Sequence, residues 1–122
     1  MSATDPITIS VGNREGAVVL AVGGEVDLVT IPALEDAIGG VVADNPAALV
    51  IDLTAVEFLA SAGLRLLAAT HEEVSKSAPF AVVARGPATR RPIQLTGLDE
   101  AFPLYQTLED ALTDVRDGKL KR

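Results

Sequence analysis

Cysteine is absent from the 122-residue chain, and so is tryptophan. The first absence removes disulfides, thiol nucleophiles and thiolate metal sites together, and it suits a reducing compartment such as the cytoplasm. Aromatic residues make up only 3% of the sequence, with Tyr105 its one tyrosine, so the core must be built from Val, Leu, Ile and Ala. A base-stacking platform for nucleic acid is excluded on the same ground. Positive charge is scarce: 10 Lys and Arg stand against 17 Asp and Glu, and a net charge of −7 repels phosphate backbones. The start, MSATDPITIS, lacks the basic and apolar regions of a secretory signal. No apolar run approaches the roughly 20 residues of a membrane span. Together these absences point to a cytoplasmic protein with no membrane insertion and no direct nucleic-acid contact.

What is present is globular. Hydrophobic residues make up 48% of the chain and charged residues 22%, at a length typical of one domain. ITISV (7–11) alternates as a half-buried strand ended by Gly12 and Asn13. A turn through Glu15 and Gly16 leads to a hairpin partner, AVVLAVGG (17–24). After a polar break at 27–30, Thr30 is placed to cap a helix from Ile31, with Pro32 in its first turn. Asp44-Asn45-Pro46 stops that helix, and AALVIDL (47–53) reads as a strand covered on both faces. A helix follows from Ser61 to about Ser77, then a buried strand over 80–84 and a basic helix over 87–95. A short strand at Leu104 and Tyr105, a closing helix over 108–115 and a polar tail complete the chain.

The order β β α β α β α (β) α predicts a single α/β domain. Its expected form is a mixed sheet of four to five strands with about four helices packed on it. The ordered core should span 6–116 and the tail 117–122. The strand-helix-strand unit over 47–84 should be a right-handed parallel crossover.

The stretch EFLASAGLR (57–65) carries the sharpest question, a lone hydroxyl between two alanines at a strand-to-helix junction. One answer is local: Ser61 as a helix cap accepting a backbone N–H, with Gly63 allowing close packing. The other is that Ala60 and Ala62 leave the hydroxyl open to a large partner. A serine hydrolase is disfavoured, because Leu59 stands where a nucleophile elbow has its first glycine. Its base is missing too: the one histidine, His71, lies ten residues along the same helix, about 15 Å away. His71 reads as a surface helix residue rather than a catalytic or metal group. Arg90 and Arg91 read as a solvated helix face. No catalytic residue, metal site or cofactor is expected.

The segment VIDLTAVEFLASAGLRLLAAT (50–70) resembles the signature of the STAS domain family, specifically the bacterial anti-sigma-factor antagonists. In that family a strand ending in D-L-[ST] precedes a D-S-S-G-L-like motif that opens a helix. GGEVDLVT (23–30) is similar to the family's G-E-[LIV]-D segment, and GLDEAFPLYQTLEDAL (97–112) to its C-terminal pattern. The resemblance implies an anti-anti-sigma factor that binds a serine-kinase anti-sigma factor and so releases a sigma factor. The kinase would phosphorylate Ser61 to end the interaction, and a phosphatase would restore it. Gly63 and Leu64 match the motif's glycine and leucine, and Asp27 matches the acid of the upstream segment. Ala60 and Ala62 stand where the family has aspartate and a second serine. The expected partner surface is Asp27, Thr30, Ala60, Ser61, Ala62, Gly63 and Arg65. Asp27 could equally be a turn residue. Arg65, at i+4 from Ser61, could hold the phosphate, pair with a partner's acid or simply be solvated. Other functions open to such a domain are a subunit of a stress-signalling scaffold or lipid-transport complex, or a member not regulated by phosphorylation.

Overall fold

The computed structural model describes residues 6–119; the first five residues and the last three of the polar tail lie outside the described part. Five strands form one sheet in the order β1-β2-β3-β4-β5. They are β1 (Ile7–Arg14), β2 (Ala17–Val26), β3 (Leu49–Leu59), β4 (Phe80–Val83) and β5 (Leu104–Tyr105). The helices are α1 (Ile31–Ala43), α2 (Ser61–Val74), α3 (Arg90–Leu95) and α4 (Leu108–Arg116), with a 3-10 turn over Leu98–Glu100. β1 and β2 pair antiparallel, while β2, β3, β4 and β5 run parallel. This is the expected mixed α/β architecture.

The hairpin turn is made as the sequence suggests. Glu15 and Gly16 both have positive φ, 53° and 88°, so the two-residue loop follows the right-handed twist of its strands. The first strand does not end at Gly12, however. It runs on to Arg14, because Gly12 and Asn13 keep their ladder partners Val19 and Val18.

Helices cover both sheet faces. On one face, Leu34, Ile38 and Val41 of α1 and Leu64, Leu67 and Val74 of α2 pack on Leu20, Val22, Ile51, Leu53 and Val82. On the other, Ala111 and Leu112 of α4 close over Val19, Val50, Ala81 and Val83. Central β3 is covered from both sides, which explains its mostly apolar first half. Tyr105 ties α4 to the last strand by donating its phenolic hydrogen to the Asp114 carboxylate. Burial, reinforced by that bond, pushes the Tyr105 pKa well above its ordinary value.

Four further sequence expectations need correction. β3 continues to Leu59 instead of turning after Leu53, because Ala55, Val56, Phe58 and Leu59 still pair with β2 through two register shifts. The third helix begins at Arg90, not Pro87; the amides of Arg90 and Arg91 first close back on the Gly86 carbonyl. Arg90 is not a plain solvated side chain: its guanidinium donates to the Ala84 carbonyl at 3.0 Å. His71 departs from a surface role as well. Its ring packs 5.6 Å from Phe80 and 5.9 Å from Phe102, with a buried Nδ1 that has no hydrogen-bond partner among the described residues.

Candidate functional site

The parallel strands β2 and β3 deliver their C-terminal ends side by side. Val26 pairs with Leu59, and the Ala60 amide donates to the Val26 carbonyl at 2.9 Å. That bond places the loop 27–30 against the junction that opens α2. In open α/β sheets, sites gather outside the carboxyl ends of the strands for this reason: the loops there are free of the ladder.

Ser61 is not the cap of α2. The cap position belongs to Ala60, whose φ of −80° and ψ of 166° are the extended values a capping residue adopts, but whose methyl cannot accept a hydrogen bond. Ser61 is instead the first helical residue. It is exposed, and among the described residues its hydroxyl has no hydrogen-bond partner. The helix therefore opens without a side-chain cap and with an unengaged hydroxyl on its first turn.

Gly63 explains how the helix comes so close. A Cβ there would stand 2.7 Å from Leu59 Cδ1 and 2.7 Å from Val26 Cγ1. Its role is thus beneath the surface, not on it. Ala60 and Ala62 are half-buried beside Ser61, and Arg65 is exposed one turn on. Ser61, Leu64, Arg65 and Ala68 of α2 face Thr96 and Leu98 across a shallow, mainly apolar hollow of about 220 Å³. Thr96 and Leu98 were not legible as neighbours of Ser61, because they lie more than 30 residues away in the chain.

Asp27 and Thr30 turn out to be one device. Asp27 Oδ1 accepts from the amides of Val29 at 3.0 Å and Thr30 at 3.1 Å, which winds the chain into α1. Thr30 is 3% exposed, and its hydroxyl points backward, donating to the Glu25 carbonyl at 2.8 Å. It neither caps α1 with its side chain nor faces outward. Its work is to hold the Asp27 loop in place from below.

The missed feature is apolar. Leu28 is 76% exposed, Val29 83%, Phe58 52% and Leu95 74%. Leu28 and Val29 follow the end of β2, Phe58 faces out from the end of β3, and Leu95 precedes Thr96 at the Ser61 hollow. Large exposed side chains at the ends of β2, β3 and α3 offer surface that a partner can cover. Among the described residues no group of three or more His, Asp or Glu side chains could hold a metal ion. No described helix is long and apolar enough to cross a membrane.

The class of domain follows from a mixed five-stranded sheet, parallel beyond its first strand, with helices on both faces and an exposed serine opening the second helix. The STAS domain model matches residues 8–111, and the chain belongs to that family. Within it, the chain is 62% identical over 122 residues to the anti-sigma-F factor antagonist RsfB of Mycobacterium tuberculosis, covering 100% of both. It is also similar to the crystal structure of an anti-sigma factor antagonist from Mycobacterium paratuberculosis, with 66% identity and a TM-score of 0.90 over 96% of this chain and 100% of that one. The unphosphorylated form of the anti-sigma factor antagonist SpoIIAA shares the fold at 20% identity, with a TM-score of 0.70 over 90% of this chain and 97% of that one.

Proposed function

We propose that this chain is an anti-anti-sigma factor: it docks an anti-sigma factor on the end face around Ser61 and so frees a sigma factor. The observation that carries the reading is the exposed hydroxyl of Ser61, without a partner among the described residues, beside an apolar hollow and at the end of the sheet where Leu28, Val29 and Phe58 are also exposed. A helical first turn tolerates a phosphate, because its amides and dipole favour negative charge. Modification would therefore leave the domain folded while adding about −1.5 to −2 charges. On an apolar docking face that charge must be desolvated, which opposes binding. The high identity to mycobacterial anti-sigma factor antagonists supports the same assignment.

The anti-sigma factor is of the serine-kinase type, a phosphatase resets the switch, and the chain itself acts in the cytoplasm without catalysing a reaction. The proposed partner surface joins Asp27, Ala60, Ser61, Ala62 and Arg65 with exposed Leu28, Val29, Phe58 and Leu95. Thr30 and Gly63 support it from beneath. Incubation with the partner kinase and ATP tests the switch by intact mass. One phosphate on the native chain and none on Ser61→Ala is the expected result; equal phosphorylation of both would place the modification elsewhere.

A further inference from the structure

We infer that Arg65 is the intramolecular partner of a phosphate on Ser61, closing over it across one turn of α2. The inference rests on Ser61 being the modified residue and adds a positioning group that the family motif does not contain.

Three observations meet there. Ser61 and Arg65 are both exposed and line the same hollow, so their side chains share one side of the helix. Arg65 stands four residues on, about 6 Å along the axis, in the favourable order with the acid N-terminal to the base. Finally, the guanidinium is uncommitted: among the described residues it makes no ion pair or hydrogen bond. Asp99 and Glu100, the acids of the 3-10 turn beside Leu98, do not engage it.

The surroundings favour the pair. Leu64, Ala68 and Leu98 supply an apolar floor on which the arginine stem can lie while its head reaches the phosphate. Ala60 brings no carboxylate to compete for the first-turn amides or to repel the phosphate. A planar guanidinium can grip two phosphate oxygens at once, which an ammonium cannot. Phosphorylation would then do two things to the docking face. It adds negative charge, and it withdraws the arginine from the partner.

The test uses the full chain with phosphoserine genetically encoded at position 61, so neither kinase nor anti-sigma factor is needed. Phosphorus NMR follows the second dissociation of the phosphate, ordinarily near pH ~6. The native Arg65 chain should titrate about half a pH unit below Arg65→Gln. Arg65→Lys should recover part of that difference, because it restores charge without the fork. Identical midpoints for the native chain and Arg65→Gln would overturn the inference, and so would a lower midpoint in Arg65→Gln. Matching circular dichroism of the variants separates a lost pair from a lost fold. Failure of the anti-sigma reading would leave this titration unaffected, so the two can be told apart.

Discussion

Gly63→Ala and Gly40→Ala make the same chemical change in two helices, and the structure requires them to act in opposite directions. Alanine in a helix interior is favoured over glycine by about 0.8–1.0 kcal/mol. At Gly40, on the exposed side of α1, nothing stands within 4 Å of an added Cβ, so the full gain should appear. At Gly63 the new methyl would stand 2.7 Å from both Leu59 Cδ1 and Val26 Cγ1. The leucine tip can swing away; the valine is β-branched on a core strand and has little room to move. Overpacking of this kind costs about 1–3 kcal/mol, which exceeds the propensity gain. The expected difference between the variants is about 2 kcal/mol, measured by urea denaturation, with Gly63→Ala the less stable. If Gly63→Ala were as stabilising as Gly40→Ala, the close seating of α2 on β2 and β3 would be wrong, and with it the placement of Ser61.

Ala60→Asp should stabilise the domain by about 1 kcal/mol, because the backbone already has capping geometry and lacks only an acceptor; an unchanged melting temperature would contradict that. Asp27→Asn keeps the oxygen that accepts from Val29 and Thr30, so its stability should stay within about 0.5 kcal/mol. Asp27→Ala should lose about 1 kcal/mol, and equal melting of the two would mean that the turn does not depend on this side chain. A weaker complex with Asp27→Asn would then report the charge alone. The pKa of Tyr105 is raised on folding, so the native state holds the phenolic proton more tightly than the unfolded chain. Its contribution is complete below the unfolded value near 10 and is lost as pH rises from there through the folded value. Since the chain has one tyrosine, ultraviolet titration reads it directly, and a midpoint at or below 10 would refute the part-buried bond to Asp114.

The elements were legible where one rule governed them. The Glu15-Gly16 turn, Pro32 at the start of α1 and the apolar run of β3 each state their structure locally. Reading failed where a distant partner decided. β3 reaches Leu59 because β2 runs beside it that far, and a strand whose far half alternates poorly reads as a turn. Thr30 looks like a cap in sequence, yet the Glu25 carbonyl takes its hydroxyl. Ser61 was found by its odd surroundings, a hydroxyl between methyls. Its position one residue inside the helix, however, depends on Ala60 staying extended to reach the Val26 carbonyl. The exposed Leu28, Val29, Phe58 and Leu95 gave no periodic signal, since they sit at element ends where neither helical nor strand spacing applies.

The central claim is that the charge on Ser61 decides docking, and calorimetric titration of the anti-sigma factor with three forms of the chain tests it most directly. Ser61→Ala should bind like the native chain and fold as well, since among the described residues the serine hydroxyl has no bond to lose. Ser61→Glu should stay folded, because an acid is favoured in a helix's first turn. It should nevertheless bind about a hundredfold more weakly, the equivalent of about 3 kcal/mol for an uncompensated charge carried into the interface. Equal affinity of all three forms would contradict the account and leave Ser61 as an ordinary first residue of a helix.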